Sequence, residues 1–130
     1  MSETLDYIVR RGVLTPDFGD EHPWGRLGFF SDNDTTGVDG VTVGMARIDP
    51  GESNPLHVHD NCSEIALILS GSVAHVVGDQ VIDLAAGDML IVPPGLPHRA
   101  TSTGPGPAEM VVVYNSGHRG FEVLSGLPAD

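Results

Sequence analysis

Short apolar segments that end in glycine or proline constrain the fold of this chain more than any other feature of its sequence. Seventeen glycines and ten prolines occur among the 130 residues, and they stand between runs of β-prone side chains. From residue 41 onwards no segment carries a convincing amphipathic helical pattern. Glycine and proline residues at such near-regular spacing are typical of about eight to ten short strands joined by tight turns, as in a β-sandwich or β-barrel. The clearest predicted strands lie within 41–48, 56–59, 64–71, 71–79, 80–88, 89–95, 97–102 and 109–115.

The two ends of the chain are less regular. We expect short strands at 5–9 and 26–30, followed by a turn-forming cluster at 31–40. The tail either forms a final strand around FEVL or lies over the outside of the molecule. A chain of 130 residues is long enough to bury one hydrophobic core and too short for two. The expected parts of this one domain are residues 1–40, which pack on the remainder, the core 41–115, and the C-terminal strand or tail 116–130.

Charge and cysteine content exclude several classes of partner. Eighteen acidic residues against six arginines, with no lysine, give a formal net charge of −12. That field repels a phosphate backbone and an anionic bilayer, so we expect neither nucleic-acid binding nor membrane binding. Cys62 is the only cysteine, so no internal disulfide is expected. The N-terminus lacks the basic region of a signal peptide, and no apolar stretch approaches the ~20 residues that span a bilayer, which makes the cytoplasm the expected compartment.

Three histidines and one glutamate stand at spacings that suit a metal ion. His57 and His59 lie two apart in a predicted strand, so their imidazoles point to the same face. Glu64 follows a four-residue break and His98 follows the rigid turn VPPGLP, which allows both to reach the same point. Three imidazoles and one carboxylate suit one divalent ion of Fe, Mn, Ni, Zn or Cu and leave positions open for substrate or water. The alternatives are histidines that pack in the core and a solvated Glu64.

The glycines and prolines around these four residues complete two spaced motifs. The first, G(X)5HXH(X)4E(X)6G, is met by Gly51, His57, His59, Glu64 and Gly71. The second, G(X)5PXG(X)2H(X)3N, is met by Gly87, Pro93, Gly95 and His98, with Ser102 in place of the final asparagine. Over residues 41–115 the chain therefore resembles the cupin family. The resemblance implies an all-β jelly-roll barrel, or double-stranded β-helix, in which the four ligands converge, and it implies that two barrels pair as a homodimer.

Several further polar or flexible side chains are candidates for the interior of the predicted barrel. His75, in an otherwise apolar strand, and Tyr114, at the end of another, are candidate catalytic groups. Arg47 and Met45 share one strand face, and Arg47 suits a carboxylate substrate. Ser102 shares the parity of His98 and is the third candidate for substrate binding. The alternatives are an outward or merely packed His75, a Tyr114 at a dimer contact and an Arg47 in a surface ion pair.

Three functions are compatible with such a site, and all involve a small-molecule partner. Resemblance to small one-domain cupins narrowly favours an enzyme of the dioxygenase type, an oxidoreductase. The second hypothesis is a non-redox metal enzyme, namely a lyase, isomerase or decarboxylase. Cupin lyases that act on sulfonium substrates place a tyrosine two residues after the glutamate, and Ala66 stands there instead. The third hypothesis is a cupin that binds a small ligand without turning it over.

Overall fold

The computed structural model describes residues 9–124, and this part of the chain contains strands and turns but no helix. No helix long and apolar enough to cross a membrane occurs in this part either. Eleven strands are assigned within it. Their bounds are β1 Asp20–His22, β2 Gly25–Ser31, β3 Thr42–Ile48, β4 His57–Val58, β5 Glu64–Ser70, β6 Ser72–Val77, β7 Gln80–Ala85, β8 Met89–Val92, β9 His98–Ser102, β10 Ala108–Tyr114 and β11 Glu122–Val123.

The strands form two antiparallel sheets. One has six strands in the order β1-β2-β3-β10-β5-β8, and the other has five in the order β11-β4-β9-β6-β7. Neighbours in each sheet are often distant in sequence, because β10 lies between β3 and β5 and β9 lies between β4 and β6. This crossing between sheets is that of a jelly roll. The predicted all-β jelly-roll fold is confirmed.

The strand predictions agree with the structure over most of the chain. Each clear segment from 41 onwards contains one strand, and the predicted strand at 26–30 lies within β2. The FEVL segment contains β11, which pairs with β4 and so belongs to the five-stranded sheet. The short strand β1 was not predicted. The predicted strand at 5–9 lies outside the described residues, apart from Val9, which is in no strand.

The core lies between the two sheets and follows the alternation of the strands. In β5 the side chains of Glu64, Ala66 and Ile68 are buried, whereas the residues between them are exposed. Ala66 and Ile68 therefore share the inward face of Glu64. Fully burying an aliphatic side chain such as Ile68 stabilises the fold by about 1.5–3 kcal/mol. The buried cluster consists of Ala46, Ile48, Cys62, Ala66, Ile68, Val73, Ala100, Ala108, Met110, Val112 and Tyr114.

Glycines set the turns that bring ligand-bearing strands together. Gly51, Gly71 and Gly87 have φ angles of 78°, 77° and 96°, a left-handed conformation that side chains with a Cβ rarely adopt. At Gly71, between β5 and β6, an added Cβ would also lie 2.6 Å from the carbonyl oxygen of Pro107. Glycine at this position therefore permits both the turn and the close approach of the next loop.

Candidate metal centre

Two neighbouring strands and two loop ends position the predicted metal ligands. His57 in β4 pairs directly with His98, the first residue of β9. His59 follows β4, and Glu64 is the first residue of β5 in the opposite sheet. All four side chains are buried, and one donor atom from each lies within 4.8 Å of the others. The structure therefore brings together the four residues that the sequence selected.

Backbone carbonyl groups fix the ring orientation of all three histidines. The Nδ1 atoms of His57, His59 and His98 lie 2.7, 2.8 and 2.9 Å from the carbonyl oxygens of Pro55, Gly120 and Leu96, respectively. A carbonyl oxygen only accepts hydrogen bonds, so each Nδ1 atom carries a proton and donates a hydrogen bond to its carbonyl group. In a neutral ring Nε2 then presents a lone pair. Metal-binding histidines are commonly held in this way.

The contacts of Glu64 show that this group of residues fits a cation. Its Oε1 atom lies 3.1 Å from Nε2 of His59 and 2.9 Å from Nε2 of His98. Neutral imidazoles that donate from Nδ1 have no second proton for this carboxylate. The lone pairs of the two Nε2 atoms therefore face those of the carboxylate oxygen. Only a cation, which is either a shared proton or a metal ion, offsets their repulsion. The donor set of nitrogen and oxygen atoms suits a divalent transition metal.

The protonation states of the ligands agree with this fit. Burial, together with the neighbouring His98, lowers the pKa of His57 to about 3. Burial by itself raises the pKa of Glu64, but the adjoining imidazole groups of His59 and His98 outweigh this effect and hold that pKa below its usual range. At neutral pH His57 is therefore neutral and Glu64 is ionised. Both are the forms that bind a metal ion.

The four residues line a cavity of about 380 Å³, a size found among small-molecule sites. His22 and Trp24 lie in its wall with their rings stacked 4.9 Å apart. Both groups predicted to be catalytic, His75 and Tyr114, also lie in the wall. The remaining lining residues are Asp20, Leu27, Phe29, Ala46, Asn54, Pro55, Ala100, Met110, Val112, Arg119, Phe121 and Val123.

His75 and Tyr114 have pKa values displaced in opposite directions. Burial lowers the pKa of His75 to about 4, and its Nδ1 atom has no hydrogen-bond partner among residues 9–124. Burial, together with the negative charge of Glu64, raises the pKa of Tyr114 well above its usual value. At neutral pH His75 is therefore a free base and Tyr114 is protonated. Such a divergence within one cavity is typical of acid–base pairs.

The three residues predicted to bind substrate do not line the cavity. Arg47 lies on the outer face of β3, where its side chain pairs with Glu109 at 3.0 Å and donates to the carbonyl oxygen of Pro16. Met45 shares that outer face and is covered there. Ser102 is buried beyond Ala100, and its hydroxyl donates to the carbonyl oxygen of Gly106. The prediction that Arg47, Met45 and Ser102 line the substrate cavity is therefore corrected. Arg47 instead forms a surface ion pair, which was the alternative considered for it.

The sequence reasoning missed a cavity segment in the C-terminal tail. Arg119 and Phe121 line the cavity, and Gly120 between them supplies the carbonyl group that holds His59. No periodic pattern marks this segment. Its only signal is the pair of glycines: Gly117 and Gly120 pack so closely against the loop residues Asn33 and Asp60 that a Cβ would clash.

Two antiparallel sheets that enclose three histidines and one glutamate define a double-stranded β-helix barrel whose buried group could hold a metal ion. Residues 44–114 match the family of cupin domains. The chain belongs to the cupin family, as its two motifs implied.

The similar proteins of known sequence are mostly germin-like proteins. One from Morus alba is 35% identical over 100 residues, which cover 72% of this chain and 48% of the relative. Germin-like protein 1-1 of Oryza sativa subsp. japonica is 33% identical, over 68% of this chain and 44% of its own length. An auxin-binding protein of Prunus persica is 28% identical, over 89% and 53%, respectively. The chain spans about half the length of these curated relatives.

Similar solved structures share the fold. The oxalate decarboxylase of Lactobacillus farciminis has a TM-score of 0.76 at 20% identity, covering 81% of this chain and 32% of its own. Oxalate oxidase in complex with glycolate has a TM-score of 0.73 at 22% identity, covering 88% and 66%. A Klebsiella pneumoniae protein with a double-stranded β-helix domain has a TM-score of 0.73 at 24% identity, covering 88% and 97%.

Proposed function

We propose that this chain is a metal-dependent oxidoreductase of the dioxygenase type that acts on a small organic molecule. The observation that supports this most strongly is the convergence of three imidazoles and one carboxylate in the wall of a cavity. An ion held by His57, His59, Glu64 and His98 would supply electron transfer to dioxygen, if it is Fe or Mn, and Lewis-acid polarisation of a substrate oxygen. The apolar walls of the cavity exclude water from the substrate.

His75 and Tyr114 are the proposed proton-transfer groups. His75, which lines the cavity and is neutral at neutral pH, is the proposed acceptor of a proton from a substrate hydroxyl. Protonated Tyr114 donates a hydrogen bond to a substrate oxygen on which negative charge develops. The ring centre of Tyr114 lies 4.9 Å from that of His59, and the ring centre of His75 lies 6.1 Å from that of His98, so both groups are close to the metal ligands.

A non-redox reaction, such as a decarboxylation, is the second candidate. The pairing of a free base with a protonated phenol favours it, because a non-redox reaction next to a Lewis acid depends on proton transfer and needs no electron transfer to dioxygen. Such an enzyme would work with Mn, Ni or Zn and would consume no dioxygen. The difference is measurable on one preparation of the protein.

We expect His75→Gln to lower turnover by about 10²–10⁴-fold with an unchanged metal content, because general acid–base groups contribute on that scale. Dioxygen uptake and carbon dioxide release would be followed on protein loaded with Fe(II) or Mn(II). Small diols and enols form the substrate panel, and oxalate and glycolate are added because similar folds are those of oxalate oxidase and oxalate decarboxylase.

The matched control for this variant is His118→Gln, because the side chain of His118 is exposed. Dioxygen uptake that falls in the His75 variant and not in the control supports the oxidoreductase. Carbon dioxide release without dioxygen uptake would transfer the proposal to the second candidate. Saturable ligand binding without turnover would contradict catalysis and leave a binding protein.

We also propose that two copies pair through the outer face of the six-stranded sheet. Five large apolar side chains on β5 and β8 are 36–57% exposed there. Ile65 lies opposite Ile91 and Leu67 opposite Met89, so they form one continuous patch, the outer apolar face, with Leu69. A net charge of −12 makes copies of this chain repel each other, so an uncharged face is the favourable contact between them.

Leu67→Glu is expected to convert the protein from a dimer to a monomer, because it places two carboxylates in the centre of an apolar contact. Sedimentation velocity over a range of protein concentrations measures this change. Val81→Glu is the matched control, because Val81 is 67% exposed on the other sheet. A wild-type protein that is monomeric throughout, or a Leu67→Glu variant that stays dimeric, would refute the pairing.

A further inference from the structure

Arg119 lies in the cavity wall, and its charge has no carboxylate partner among residues 9–124. Its guanidinium carbon is 4.5 Å from the ring centre of Phe29, 4.8 Å from that of Phe121 and 5.2 Å from that of Tyr114. The Nη1 atom is buried and has no hydrogen-bond partner within residues 9–124. The chain carries 18 acidic residues, yet no carboxylate in this described part forms an ion pair with Arg119. A buried donor without a partner is rare in native structures, where water, an ion or a ligand usually satisfies it.

The three rings also fix the direction of the guanidinium group. Contact with aromatic faces restrains a side chain that otherwise has many rotamers, so little freedom remains to be lost when a ligand binds. Arg119 also lines an adjoining, more open surface pocket with Phe29 and Phe121. A ligand that passes between the surface and the metal ligands would therefore meet this cation.

The other residues of the cavity wall determine which kind of molecule can carry the anionic group that meets Arg119. Trp24, Leu27, Phe29, Met110 and Phe121 make much of it apolar and partly aromatic. A very small polar anion would leave these surfaces in contact with water, whereas an apolar body would cover them. The net charge of −12 and the nearby Asp20 repel anions in general, so Arg119 is the group that offsets this repulsion.

We propose that Arg119 binds the carboxylate of a small ligand whose apolar body lies against the aromatic wall of the cavity. The planar guanidinium group matches a carboxylate better than it matches a neutral amide or alcohol. If the bound ligand is the molecule turned over, this inference names the substrate class of the proposed enzyme. In that respect alone it rests on the proposed function. The binding site itself requires no turnover.

Fluorescence of Trp24 provides the test, because it is the only tryptophan and it lines the cavity. The probes are phenylacetate, its neutral amide phenylacetamide, and oxalate, each titrated into metal-free and into Mn(II)-loaded protein. We expect saturable binding of phenylacetate, with phenylacetamide and oxalate weaker by about tenfold or more. Arg119→Gln should lose this preference, and Arg119→Lys should keep part of it because the charge remains.

Arg10→Gln is the matched control, since it removes an exposed arginine that does not line the cavity and should leave phenylacetate binding unchanged. Circular dichroism and thermal unfolding verify that each variant folds. In metal-free protein, equal binding of phenylacetate by wild type and Arg119→Gln would overturn the inference, as would preference for oxalate or no saturable binding of phenylacetate. Because metal-free protein is titrated as well, these results are separate from failure to bind metal or to turn over a substrate.

Discussion

Replacing His98 by alanine is expected to lower the affinity for a divalent ion by more than about 100-fold, because loss of even an outer partner of a metal ligand costs 10–100-fold. The variant loses one of the four converging donors and one of the two imidazoles on Oε1 of Glu64. The barrel should remain folded, since the other strand contacts of β9 with β6 are unchanged. Calorimetric titration with Mn(II) measures the loss directly.

The same variant should also lose the stabilisation that the metal gives the wild type. A ligand at 100 times its dissociation constant stabilises the native state by about 2.7 kcal/mol, which appears as a higher melting temperature. His118→Ala, which removes an exposed histidine, is the control and should keep both effects. A His98→Ala protein that binds Mn(II) as tightly as wild type would show that the ion, if any, is held elsewhere.

Acidification of the metal-free protein from pH 6.5 to 4.5 is expected to lower its free energy of unfolding steeply. Burial holds the pKa of His57 near 3 and that of His75 near 4, whereas in the unfolded chain both return to about 6.5. Between pH 6.5 and 4.5 the unfolded state therefore binds more protons than the folded state. The free energy of unfolding consequently rises with pH and falls on acidification. Each histidine contributes up to about 1.4 kcal/mol per pH unit.

His75→Leu isolates one of these two contributions. Its effect on packing changes the stability at every pH, but only the lost titration changes the slope, which should fall by about half. Urea unfolding of chelator-treated protein at several pH values gives the slope, and His118→Gln serves as the exposed control. An unchanged slope in His75→Leu would mean that folding does not lower the pKa of His75, which would contradict its burial as a neutral base.

The metal ligands were predictable because the sequence patterns that mark them lie within single strands and turns. His57 and His59 share a strand face by parity, and glycines at fixed distances mark the turns that bring Glu64 and His98 to them. The inward face of β5 followed from the same alternation. These features depend only on the geometry of single strands and turns.

The positions of Met45 and Arg47 were not predictable because the choice of face in β3 is not local. The strand TVGMARI carries apolar side chains on both faces, since Met45 is covered on the outside while Ala46 and Ile48 face the core. Parity therefore relates Met45 to Arg47 but does not say which way they point. Arg119 was missed for a different reason, since its position depends on how the irregular segment around Gly120 packs against distant loops.

The metal content of protein purified without an affinity tag, measured before and after reloading with Mn(II) or Fe(II), tests the central claim most directly. The account predicts one divalent ion per chain, bound through imidazole and carboxylate groups and lost on chelation. Protein that holds no ion even after reloading at neutral pH would contradict it. The close contact of Glu64 with His59 and His98 would then depend on a shared proton, and the cavity would belong to a cupin without metal chemistry.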